Sequence, residues 1–143
     1  MSEQENTRIA TANFNYYNAH DLDAADQFLA DDYKSGPAGG TGLMNKKHNR
    51  VFMQNFLTAF PYLHFEVTQT AAQRDQVVID WVARGTHNGP LGTPLGGTIE
   101  ATGKKATVPG CSTYYIKDGK ITLSTAYYDM VGLLGQLGLL PAM

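Results

Sequence analysis

Apolar and polar positions follow a helical period up to Pro61 and an alternating one after it. Over residues 4–18, Ile9, Asn13 and Tyr16 form one stripe, and Ala10, Phe14 and Tyr17 an adjacent one. Asp21 is a good N-cap for a second helix that carries Leu22, Ala25, Phe28 and Leu29 inward. The polar run 31–34 leads into Ser35, Gly36, Pro37, Ala38, Gly39 and Gly40, a loop signal. A third helix over residues 43–59 follows from the spacing of Val51, Phe52, Asn55, Phe56 and Ala59, and Pro61 ends it.

Beyond Pro61, Leu63, Phe65 and Val67 alternate with His64, Glu66 and Thr68. Residues 76–86 form a second strand that separates Val77, Ile79, Trp81 and Ala83 from Val78, Asp80, Val82 and Arg84. A glycine- and proline-rich loop over 88–97 precedes a short strand, a turn at Gly103 and Lys104, and a strand to Ile116. Helices first and strands afterwards give an α+β class: three N-terminal helices packed on one face of a curved antiparallel sheet. Residues 1–143 are expected to form one domain, with no repeat or linker.

The last hairpin admits two registers. A two-residue turn at Asp118 and Gly119 sets Lys117 opposite Lys120, a like-charge pair. A three-residue loop of Lys117, Asp118 and Gly119 avoids that pair and is the expected register. It gathers Cys111, Thr113, Tyr115, Ile121, Leu123, Thr125, Tyr127 and Asp129 on one face. Asp129 would then be the single charge among apolar groups and hydroxyls, where burial disfavours the ionised form and suits a general base.

Composition sets limits on this picture. The charged fraction is 17%, the hydrophobic fraction 43% and the formal net charge −2, as in an ordinary globular protein. No electrostatic case exists for nucleic acid, and no basic run suggests a membrane surface. The polar, acidic start and the lack of a spanning apolar run point to a soluble, cytoplasmic chain. A single cysteine provides neither a disulfide framework nor a cysteine-cluster metal site.

Several segments in order carry a resemblance: Ala59, Phe60, Pro61, Tyr62 and Leu63; Trp81 to Gly89; Asp118, Gly119, Lys120 and Ile121; Asp129; and Gly132, Leu133, Leu134, Gly135, Gln136, Leu137 and Gly138. Asn18, Ala19, His20, Asp21, Leu22 and Asp23 add to them. Together these segments resemble the SnoaL-like polyketide cyclases, within the group that shares the nuclear transport factor 2-like cone-shaped α+β barrel. The resemblance implies an enzyme that performs a cofactor-free intramolecular aldol cyclisation of a polyketide ester. Asp129 falls where the family's catalytic aspartate does, and would remove a proton between carbonyls and return it to the new alkoxide. Thr113 and Tyr115 fall where the family places polar partners. Asp80, Tyr62 and Thr125 depart from residues common among relatives, which separates the pocket from any named product.

Two readings compete for most candidates. Asp129 is catalytic or merely caps the terminal helix. His87 is a second proton carrier or bonds local backbone. Tyr16, Tyr17, Phe56, Phe60 and Trp81 are core or line the cavity, Tyr127 is a substrate-binding candidate on the hairpin face, and Asn13 and Asn55 are amides on apolar stripes that suit a pocket. Asp80 is expected to pair with Arg84, and Cys111 to pack. The loop around Pro90 to Gly97 is a lid or a connector. The expected partner is a small hydrophobic, aromatic or polyketide-like substrate, with neither cofactor nor metal, and the chain is expected to form a dimer or tetramer. The rival activities are epoxide hydrolysis or hydration on the same fold, and non-catalytic binding or dimerisation.

Overall fold

Ser2 opens helix α1 (Glu3–Asn18) by accepting from the Glu5 amide at 3.0 Å, and Glu3 and Glu5 complement the dipole of its first turn. The computed structural model describes residues 2–36, 43–93 and 96–140. The expected loop residues 37–40, and Pro94 and Leu95 of the glycine-proline loop, lie outside the described residues. Helix α1 buries Asn6, Ile9, Ala10, Asn13, Phe14 and Tyr17, a helical stripe narrower than the pattern suggested. Tyr16 drops out of it, 40% exposed, and packs against Phe28. The helix ends in a Schellman turn: His20 adopts a left-handed φ of 59°, and the Asp21 amide reaches back to the Tyr16 carbonyl at 2.9 Å. A non-glycine residue holds this position because its ring is anchored 2.8 Å from the Leu63 carbonyl.

Asp21 caps α2 (Leu22–Asp26), accepting from the Ala24 amide at 3.1 Å. The helix stops earlier than its apolar spacing implied, and Leu29 begins strand β1 (Leu29–Gly36). This strand buries Leu29, Tyr33 and Ser35 and exposes Asp31, Asp32 and Lys34. Its polar outward side made it read as a connector. The short β2 (Met44–Asn45) leads into α3 (Lys46–Ala59), capped by Asn45 through the His48 amide at 2.8 Å. Val51, expected inward on α3, is 64% exposed.

The remaining elements are β3 (His64–Gln73), β4 (Gln76–Thr86), β5 (Leu91–Gly92), β6 (Thr98–Ile99), β7 (Lys105–Lys117), β8 (Lys120–Tyr128) and α4 (Met130–Gln136). The main sheet has the order β2-β1-β8-β7-β4-β3. Strand β1 runs parallel to β8, so the sheet is mixed where a purely antiparallel one was expected. The α+β class stands, with the helices packed on the concave face. Strand β4 keeps the expected alternation, with Val77, Ile79 and Trp81 buried; burying each such side chain contributes about 1.5–3 kcal/mol. Arg84 pairs with Glu66 of β3 at 2.6 Å rather than with Asp80.

The last hairpin takes the register that charge repulsion argued against. Asp118 and Gly119 have φ of 52° and 78°, the two left-handed residues of a type I′ turn, and Lys117 faces Lys120. Both lysines are exposed, and the Lys120 ammonium reaches away to the Gln27 carbonyl. Two exposed unit charges repel by only about 1 kcal/mol at 4 Å in water, which turn geometry outweighs. Past the turn the pairing shifts: Ile116 faces Ile121, but Tyr115 faces Leu123. Thr122 is the extra residue, and its hydroxyl bonds the Tyr115 carbonyl at 3.1 Å. The bulge moves the inward set of β8 from Ile121 to Ser124, Ala126 and Tyr128.

Gly110 of β7 lies opposite Trp81, and a Cβ there would stand 2.3 Å from the indole ring. Gly110→Ala is therefore expected to destabilise the fold by about 1–3 kcal/mol through overpacking. Urea unfolding should show a lower midpoint at unchanged m; an unchanged midpoint would mean that the indole can move aside.

Candidate functional site

Between α1, α3 and the concave face of the sheet lies a cavity of about 340 Å³. Its walls are aromatic, with Phe65 edge-on to Trp81 at 5.3 Å and to Phe14 at 5.2 Å, and Phe56 perpendicular to Tyr128 at 6.5 Å. Leu133 of α4 also contributes to the lining.

Polar groups enter from six elements and bond one another. Ser35 of β1 donates to the Asn49 side-chain oxygen at 3.0 Å, and the Asn49 amide of α3 donates to the Tyr17 hydroxyl of α1 at 3.4 Å. The Tyr33 hydroxyl meets that of Ser124, which the β8 bulge has turned inward. Trp81 donates its indole N–H to Ser112 of β7 at 2.9 Å, beside Tyr114. Burial pushes the Tyr17 and Tyr33 phenols up from their ordinary range, with Asp26 adding to both. Tyr114 is raised well above it by burial and then by the neighbouring Tyr17 and Tyr33. These hydroxyls are therefore neutral hydrogen-bond donors across the physiological range, and poor bases.

Among the described residues, the lining includes no carboxylate and no imidazole. Arg84 is the charged residue there, and its guanidinium is paired with Glu66. The arrangement can grip a carbonyl or enolic oxygen at its polar end and enclose an apolar body against the aromatic walls.

Of the residues singled out in the sequence, the fold brings Asn13, Phe56 and Trp81 together on this cavity. Asp129 is not there. It is exposed and caps α4, with Oδ1 accepting from the Gly132 amide at 2.7 Å. The burial expected of it rested on a register that the bulge overturns. The bulge also turns Tyr127 outward, 57% exposed, while Thr113 and Tyr115 are absent from the lining because the turn pairs Ile116, not Tyr115, with Ile121. Tyr16 is also off the cavity. Asn55 instead clasps the backbone of Gly92, donating to its carbonyl at 3.2 Å and accepting from its amide at 2.8 Å.

His87 is fully buried but outside the lining. Its ring stacks on Phe60 with centroids 5.3 Å apart, and Nδ1 accepts from the Thr102 amide at 3.2 Å. It holds the 102–104 turn against the end of β4, and its Nε2 is buried without a hydrogen-bond partner among the described residues.

Tyr17 and Phe60, expected as core or cavity wall, also line the cavity, whereas sequence reading missed Tyr33, Ser35, Asn49, Ser112, Tyr114 and Ser124. Alternation around Tyr33 and Ser35 was the one available signal, and the acidic residues between hid it.

The model of the SnoaL-like polyketide cyclase family matches residues 7–137. The search of curated proteins gave no significant match. Among solved structures, AclR from Streptomyces galilaeus, a proposed hydroxylase, superposes with a TM-score of 0.84 at 23% identity, covering 99% of this chain and 86% of that one. IdmH from Streptomyces antibioticus, a proposed polyketide cyclase, gives 0.76 at 21% identity, with 93% and 98% covered. A Catenulispora acidiphila protein of ketosteroid isomerase-like fold, in complex with trimethylamine, gives 0.73 at 20% identity, with 92% and 93% covered. These likenesses establish the nuclear transport factor 2-like and ketosteroid isomerase-like fold.

The tyrosine cluster sets a limit on alkaline stability. Its folded-state ionisation lies above the unfolded value of about 10, so the stability it carries is complete below pH 10 and falls as pH rises beyond. The loss is up to about 1.4 kcal/mol per pH unit for each tyrosine. Phenolate absorbance from Tyr17, Tyr33 and Tyr114, identified through single Tyr→Phe variants, should appear together with the loss of far-ultraviolet circular dichroism. Their ionisation in a folded protein near pH 10 would show that the cluster is open to water.

Proposed function

Since the chain belongs to the SnoaL-like polyketide cyclase family, we propose that it closes a ring on a polyketide-like ester held in the aromatic cavity, by intramolecular aldol-type addition. The observation that carries this reading is the set of three neutral, mutually close phenols, with the serines and Asn49 that bond them, in a chamber whose other walls are mostly aromatic and aliphatic. In the reaction, a carbon between two carbonyls passes its proton to one carbonyl oxygen to give an enol. That carbon attacks an acceptor carbonyl of the same chain as the enol oxygen gives up its proton and becomes a carbonyl again. A C–C bond forms, the carbonyl π electrons pass to oxygen, and that oxygen takes up a proton. The net change is an isomerisation.

The cavity serves the two costly parts of this reaction. Aromatic walls hold a flexible chain in a folded shape, which replaces an entropic barrier with binding. Tyr17, Tyr33 and Tyr114 donate towards oxygen where negative charge develops, and one such donor in a water-poor site is worth about 10²–10³ in rate. Because the lining offers no carboxylate or imidazole, the carbon proton leaves through the substrate's own keto–enol exchange with water. Asp129 supports the site indirectly, by fixing the helix that supplies Leu133.

Two variants test this assignment against the alternative of an aspartate base, with turnover of a linear β-polyketo ester followed by chromatography. Tyr17→Phe should lower kcat by about 10²-fold with the fold retained. Asp129→Asn should keep kcat, since asparagine caps a helix as well as aspartate does, whereas Asp129→Ala should cost about 0.5–2 kcal/mol of stability. Loss of turnover in a folded Asp129→Asn protein would restore the aspartate as the base. Tight binding of the ester, recovered unchanged, would make the chain a binding module.

A further inference from the structure

Asparagines at other key positions in this fold use both ends of the amide. Asn18 donates to the Phe65 carbonyl at 2.8 Å and accepts from the Phe65 amide at 2.7 Å. Asn49 accepts from Ser35 and donates to Tyr17, and Asn55 clasps Gly92 from both sides. Asn13 differs. It is 1% exposed, and its Nδ2 donates to the Ala25 carbonyl at 2.8 Å, which fixes the orientation of the amide. Its Oδ1 is buried with no donor among the described residues, on a residue that lines the cavity. A buried acceptor left unpaired is costly, so it marks a place where a partner belongs. Asn13 also lies one helical turn before Tyr17, on the same face of α1, and close enough to influence the ionisation of its hydroxyl.

We infer that Asn13 selects the substrate by its hydroxyl proton: Oδ1 accepts from an enolic or phenolic O–H whose oxygen accepts from Tyr17. This deepens the cyclase reading and rests on it. It narrows the substrate to one that enters as an enol or a phenol, an oxygen that is donor and acceptor at once. A pure ketone or an O-alkylated analogue offers the acceptor but leaves Asn13 unpaired. A site built to hydrogen-bond a hydroxyl discriminates against the analogue that lacks it.

The test uses 2-naphthol and 2-methoxynaphthalene, which share an aromatic body and an acceptor oxygen but differ in the proton. Calorimetric titration of the wild-type protein should show 2-naphthol bound about tenfold more tightly or better. In Asn13→Leu the preference should collapse towards unity, with 2-methoxynaphthalene affinity kept or improved. Because that variant also loses the bond to Ala25 and could fail to fold, wild-type NMR supplies a second measurement. Nuclear Overhauser contacts from the naphthol ring protons flanking the hydroxyl should reach the Asn13 side-chain amide. Equal wild-type affinities, a preference that survives in Asn13→Leu, or naphthol contacts that avoid Asn13 would each overturn the inference while leaving the cavity reading intact. Failure of both compounds to bind would overturn the two together.

Discussion

The cavity depends on where one extra residue sits in one strand. With Thr122 accommodated as a bulge, β8 presents Ile121 to the core near the turn and Ser124, Ala126 and Tyr128 to the cavity further on. A regular strand continued from Ile121 would instead have turned Leu123, Thr125, Tyr127 and Asp129 inward. Strand pairing has a period of two, so a single slip exchanges the two faces completely. Ser124 must face inward to meet Tyr33, and Tyr33 can reach it only because β1 runs parallel beside β8. Bulge, parallel pairing and polar end of the cavity are thus one constraint expressed in three places.

What could be read from the chain alone divides along the same line. Helix α1, the Asp21 cap, the stop at Pro61 and the alternation of β4 are local patterns, set by residues a few positions apart, and they could be read directly. Strand β1 could not: its outward Asp31, Asp32 and Lys34 look like loop, and its inward Leu29, Tyr33 and Ser35 acquire meaning only beside β8. The hairpin register was decidable but was decided on the weaker term. Asp-Gly favours a type I′ turn through backbone geometry, whereas repulsion between exposed lysines is largely screened. The two-residue turn takes Thr113 and Tyr115 off the cavity by pairing Ile116 with Ile121, and the Thr122 bulge then takes Tyr127 and Asp129 off it.

Asp129 shows why an acid's role is hard to assign from its neighbours in sequence. A carboxylate before an apolar helix is chemically suited to both proton transfer and capping, and only its surroundings decide. Here the cap is tight: a Cβ on Gly132 would stand 2.3 Å from the Asp129 carboxylate, so the aspartate and the glycine three residues later form one unit. The helix they start delivers Leu133 to the cavity. Its Gln136 completes the backbone of β7, accepting from the Thr107 amide at 2.7 Å and donating to the Thr107 carbonyl at 2.9 Å.

The pairing of β1 with β8 also fixes when the chamber can exist during synthesis. Tyr33 and Ser124 are 91 positions apart, so the polar end cannot close while a ribosome is still making β8. Until then β1 lacks the neighbour that makes it a strand, and the aromatic faces of α1, α3 and β4 have no complete enclosure. Contacts this distant slow folding, and the exposed aromatic surface of such an intermediate invites aggregation. The architecture that gives the ligand site its polar end therefore leaves the nascent chain dependent on β8.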